Sequence, residues 1–139
     1  MRLFRSAWRC MLTPVSLGLR LVFRGPLARA EAELSSARVL IPPAPAKFTG
    51  ASWLRRPRGD GVIALTAEEL RFWPLLGSPI RILRQEIQGA HLARWFKGYF
   101  RAGKRHLVLE LSGERRIAFI VSSPEEWMRI LTAKDEAAW

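Results

Sequence analysis

The chain has 139 residues, six tryptophans and a hydrophobic fraction of 49%, which excludes a wholly disordered polypeptide and suits one domain with a tail. A single cysteine, Cys10, excludes a disulfide framework and a cysteine-based metal cluster. The net charge of +11 is unevenly placed: residues 1–58 carry ten Arg and one Lys against Glu31 and Glu33, whereas residues 59–139 carry twelve basic against ten acidic residues. That bias puts the excess in an N-terminal arm and a first loop, and it points to an anionic membrane or nucleic acid.

On a helical wheel, Phe4, Trp8, Met11 and Val15 fall on one side, while Arg2, Arg9, Arg20 and Arg24 fall near the other. This basic amphipathic pattern suits a helix lying in a membrane interface. Pro14 interrupts it, because proline removes a helical hydrogen bond. A transmembrane span is not expected, since Arg9 and Arg20 stop the apolar run. The same segment also reads as a cleaved targeting leader, with Ala28-Arg29-Ala30 in the form of a cleavage site. Ile41-Pro-Pro-Ala-Pro45 favours an extended linker, so residues 1–46 are expected to be arm and linker and residues 47–139 the domain.

From Phe48 onward, short apolar runs alternate with turn signals. Phe48–Leu54 is a candidate first strand with Trp53 as an anchor, and Arg55, Arg56 and Arg58 project from the turn that follows. Gly61–Thr66 is a second apolar run, and Leu70 with Phe72, then Ile80 with Ile82, repeat at period two. A strand is expected over Ala90–Phe96, and Lys97–Lys104 forms a loop in which Gly98 and Gly103 allow tight turns. Leu107, Leu109 and Leu111 alternate, Ser112-Gly113-Glu114 signals a hairpin, and Ile117, Phe119 and Val121 alternate again. Ser123, Pro124 and Glu126 compose a capping box with proline at the first helical position. Trp127, Ile130 and Leu131 then share one helix face, with Trp127 expected in the core. The expected fold is mainly β: a seven-stranded antiparallel barrel or sandwich capped by one C-terminal helix.

The order of these segments resembles a pleckstrin-homology-like domain, nearest to the GRAM and bacterial PH-like variety. The resemblance rests on GVIALT with LRFWP four residues beyond it, then EIQGAHL, GKRHLVLEL, SGERRIAFIV and the closing PEEWMRIL, and it covers roughly residues 48–131. It implies a seven-stranded, two-sheet barrel capped by the helix, and binding of phosphoinositides, other anionic lipids or proteins. Lipid-binding members often carry basic residues around the first loop, where Arg55, Arg56 and Arg58 fall here.

No catalytic constellation is present, and the expectation is a protein that is not an enzyme and uses no cofactor. His91 and His106 read as exposed strand histidines without carboxylate or cysteine partners at metal-ligand spacing. Glu68–Glu69 reads as a solvated turn. Two basic groups remain as lipid-anion candidates: Arg55, Arg56 and Arg58, and Lys97, Arg101, Lys104 and Arg105. Tyr99 and Phe100 lie at the tip of the second loop, where they either insert at an interface or pack beneath it. Trp73 and Trp95 are placed where an exposed aromatic patch would mark a partner site. The expectation is a binding module associating peripherally with anionic lipid at the cytoplasmic face of the membrane. A protein-interaction module is the alternative; nucleic acid is disfavoured, for want of basic–aromatic interleaving on one strand face.

Overall fold

The computed structural model describes residues 24–100 and 103–133. The expected interfacial residues Phe4, Trp8, Met11 and Val15, together with Arg101, lie outside the described residues.

The described residues begin with helix α1 (Arg24–Glu33), followed by β1 (Val39–Ala51), β2 (Gly59–Thr66), β3 (Glu69–Pro74) and β4 (Ile80–Leu83). A short 3-10 turn leads into β5 (Ile87–Ala93), the two-residue strands β6 (Trp95–Phe96) and β7 (Tyr99–Phe100), β8 (His106–Leu111), β9 (Arg115–Val121) and helix α2 (Pro124–Thr132). Seven strands form one antiparallel sheet in the order β4-β3-β2-β1-β9-β8-β5, and β6 pairs with β7 alone. The mainly β architecture with its C-terminal helix is thus present, but the sheet is not closed into a barrel. Its terminal strands β4 and β5 share no ladder; the 3-10 turn Arg84–Glu86 separates them. Trp127 and Leu131 of α2 belong to the same buried cluster as Ile82 of β4 and Ile87 of β5, so side chains close the core where hydrogen bonds do not.

Period-two alternation sorts the side chains. Ile63 and Leu65, Leu70 and Phe72, Leu107, Leu109 and Leu111, and Ile117 and Phe119 all enter this inner core. At its centre Phe48, Phe72 and Phe119 stand in mutual contact with ring centroids 5.3–6.3 Å apart, tilted as aromatic quadrupoles prefer. Trp127 is 3% exposed, and burying such a side chain stabilises the fold by about 3 kcal/mol. Ser123 occupies the N-cap position of α2, but its hydroxyl makes no capping bond; its backbone carbonyl instead accepts from the Glu126 and Trp127 amides. The expected capping box is therefore replaced by a turn of backbone.

The outer face of the sheet is covered as well, in two places. Ala30 of α1 and Leu34 just beyond it pack on Val62, Ala64 and Trp73. The fully buried Trp73 indole donates to the Glu33 carboxylate, which satisfies a polar atom that burial would otherwise strand. A charge ladder continues outward: Arg71 pairs with Glu33 at 3.9 Å and with Glu69, and Arg81 reaches Glu69 at 3.0 Å. Glu69 is consequently buried and paired rather than part of a solvated turn. On the other half, the β6–β7 hairpin lays Phe96 against Val108 and Ala118. Gly50 makes room for it, since a Cβ there would meet the Phe96 ring at 3.3 Å.

Ile41–Pro45 is strand rather than linker: β1 pairs with β2 from Val39 onward, so sheet pairing starts ahead of residue 47. Pairing of β1 with β9 begins only at Ala46. The three prolines thus fall where β1 needs no donor for β9, which is where a strand tolerates them.

Candidate functional site

The loop from β1 to β2 carries Trp53, Arg55, Arg56, Pro57 and Arg58, and the loop from β3 to β4 carries Leu75, Leu76, Gly77 and Ser78. Arg56 ties them together, because its guanidinium donates to the Ser78 carbonyl. A cavity of about 250 Å³ opens between the loops. Phe48 and Phe72 lie at its base, Arg56 and Arg58 on its wall, Leu75 and Leu76 at its lip. Asp60 is the acid on that lining. Leu76 is 91% exposed, which no packing requirement explains.

Arg58 also reaches sideways, its guanidinium 4.3 Å from the centre of the Tyr99 ring, a cation–π contact. Behind it the Tyr99 ring meets His106 edge-on, with centroids 5.6 Å apart. Lys97, in the β6–β7 turn, donates from Nζ to the Ala51 carbonyl at 2.9 Å. Lys97 and Gly98 have φ of 51° and 76°, the pair of positive values a tight type I′ hairpin turn requires. That turn folds the hairpin over the sheet and delivers Tyr99 to Arg58.

His106 is fully buried, so the expectation of an exposed strand histidine fails. It does face away from the inner core, but the hairpin covers it. Its Nδ1 lies 3.0 Å from the Thr49 hydroxyl, and its Nε2 is buried without a hydrogen bond. Burial holds the imidazole below its ordinary pKa, the Arg58 charge depresses it further, and the nearby Tyr99 backbone partly offsets both.

The structure divides the second basic group. Lys97 joins the first group through Ala51. Lys104 and Arg105 line a separate concavity of about 410 Å³ with Arg94 and Gly103, and Arg105 pairs with Glu125 in the first turn of α2. Arg55 is exposed on the first loop. Tyr99 is half-buried and packs against Arg58 of the first loop. Trp53 stands at the rim with Arg115 over its ring at 5.0 Å. Of the two tryptophans expected in an exposed patch, Trp73 is buried under α1 and Trp95 is 62% exposed.

Sequence reasoning missed Leu76 and the part Tyr99 plays. A signal for Leu76 was present: an apolar pair directly before Gly77-Ser-Pro79 sits at a turn tip, where alternation offers it no buried face. Among the described residues no group of three or more His, Cys, Asp or Glu could hold a metal ion, and no helix is long and apolar enough to cross a membrane.

Sheet order and helix place this chain among mainly β folds built from one bent antiparallel sheet. No family model matches it, and the search of curated proteins found no match. It is similar in structure to the C-terminal domain of an unknown protein from Leishmania infantum, with a TM-score of 0.53 and 13% identity over 80% of this chain and 95% of that one. At that identity the likeness concerns the fold alone.

Proposed function

We propose that this protein is a non-catalytic binding module of pleckstrin-homology-like type that associates peripherally with anionic membrane lipid at the cytoplasmic face. The observation that carries this reading is the juxtaposition of Arg56 and Arg58, on the wall of one cavity, with the exposed Leu76 at its lip. A lipid surface is the partner that offers both an anion and a hydrocarbon phase within a few ångströms. Each cation near such a surface contributes about 1 kcal/mol, and inserting a leucine adds about 2 kcal/mol. Arg55, Arg56, Arg58 and Leu76 together give reversible, salt-sensitive recruitment, to which a basic amphipathic arm adds a second anchor.

The test is co-sedimentation of the full chain with phosphatidylserine-containing and neutral vesicles at low and high salt. The reading expects binding to the anionic vesicles alone, release by salt, and a tenfold or greater loss in Arg56→Gln/Arg58→Gln. Equal binding to both vesicle types, or an unaffected double variant, refutes it. A protein-interaction module is the second reading, favoured by Trp95 at 62% exposure; salt-insensitive capture of a protein through Trp95, lost in Trp95→Ala, would select it.

A further inference from the structure

Arg58, Tyr99 and His106 form a continuous stack that runs from the rim of the cavity to a fully buried imidazole. We infer that this stack couples occupancy of the cavity to protonation of His106, so that the site holds an anionic lipid surface more tightly as the pH falls. The inference rests on the lipid-binding reading above and adds its regulation.

The geometry supplies the coupling. The Arg58 guanidinium and the imidazole both contact one aromatic ring, 4.3 Å and 5.6 Å from its centre. His106 already uses Nδ1 on Thr49, and its buried Nε2, which makes no hydrogen bond, has a place for a proton near the Tyr99 backbone. The cations on the elements around it are Arg58 across Tyr99, Lys97 in the hairpin turn, Arg94 beyond the paired strand β5, and Arg105 next to it in sequence. The acids are Glu125, ion-paired to Arg105, Glu110 further along β8, 3.7 Å from Arg116, and Asp60 on the cavity lining with Arg58. On the β9 side its neighbour is apolar Ile120. Burial first, and the Arg58 charge second, disfavour the imidazolium while the cavity is empty.

An anionic headgroup beside Arg58 offsets the Arg58 part of that penalty. Protonating His106 then costs less, and by reciprocity the protonated protein binds the headgroup more tightly. Two unit charges about 10 Å apart, at an effective dielectric between ~20 and ~80, shift an equilibrium by about twofold to fifteenfold.

Two measurements test this. In the first, the His106 Cε1 proton is titrated by NMR in the full chain and in Arg58→Gln, without ligand. The pKa of His106 is expected to rise in the variant, and an unchanged value overturns the coupling whatever the protein binds. In the second, affinity for vesicles of phosphatidylserine and phosphatidylcholine is measured at pH 7.5 and pH 5.0 for the full chain, His91→Gln and His106→Gln. The expectation is about threefold or greater tightening at pH 5.0 in the full chain and in His91→Gln, and none in His106→Gln. Persistence of the tightening in His106→Gln, or pH-independent binding by the full chain, overturns the inference and leaves the lipid reading standing. Failure of the full chain to bind at either pH overturns the lipid reading and, with it, the regulatory role.

Discussion

Truncating Leu34 tests whether α1 is part of the folded unit or an appendage. Leu34 is 1% exposed and closes the small outer core made with Ala30, Val62, Ala64 and Trp73. Replacing a buried leucine by alanine costs roughly 2–5 kcal/mol, the transfer term plus the cavity left behind. The site lies at the edge of the outer face, where α1 can partly settle into the void, so Leu34→Ala is expected near ~2.5 kcal/mol. For a domain of this size that corresponds to a fall in Tm of about 10 °C or more. Urea denaturation gives the free energy directly, and amide exchange reports where it is lost: β2 and β3 should exchange faster, while β8 and β9 follow only the global change. A loss below about 0.5 kcal/mol, the level of ordinary surface substitutions, would refute the docking of α1. The same reasoning bears on shortened chains. A fragment starting at residue 46 loses α1 and the first half of β1, with its pairing to β2, and is expected to give no cooperative unfolding transition.

Three further outcomes follow from particular contacts. A Cβ at Gly61 would run into the Trp73 carbonyl and lie 2.8 Å from Pro74 Cα; because both are backbone, Gly61→Ala should destabilise by about 2 kcal/mol or more, read by urea denaturation. Leu76→Ser, by contrast, should leave stability within about 0.5 kcal/mol and weaken anionic-vesicle binding about tenfold; unchanged binding would remove Leu76 from the membrane contact. His106 is held below its ordinary value in the folded state, so the unfolded chain binds more protons as pH falls below about 6.5. Stability should therefore decline through that window and level off below the lowered folded value, a decline flattened in His106→Gln when urea curves at pH 7.5 and 5.0 are compared.

The strands were legible because each has one face in a single core. Leu107–Leu109–Leu111 and Ile117–Phe119–Val121 alternate cleanly, and their register places them together. What the sequence hid lies on the outer face. Period two says only that His106 and Trp73 point away from the inner core; it says nothing about what folds over them. Covering them takes α1 and the β6–β7 hairpin, whose positions are tertiary facts. The prolines of β1 misled for a related reason: proline excludes a strand only where its missing N–H is needed, and pairing partners are not written locally. Ser123 shows a third limit, since a residue suited to capping takes the N-cap position while its hydroxyl stays unused. Within the site, the Arg55–Arg58 cluster was visible as charge. Its neighbours Leu76 and Tyr99 were not legible as partners, because the pocket joins loops separated by some twenty to forty residues.

The first half of β1 has consequences beyond packing. From Val39 to Pro45 this strand is bonded to β2 on one flank and to no described strand on the other. A long extended stretch with a vacant flank is the kind of surface on which a second polypeptide can nucleate intermolecular pairing. Pro42, Pro43 and Pro45 carry no amide hydrogens, and since successive amides of a strand point to opposite flanks, this run removes donors from the edge an incoming chain would meet as well as from the β2 side. Seen this way, the proline run protects the protein against self-templating, and substituting it with good strand formers should raise the rate of insoluble assembly before it changes the folded state.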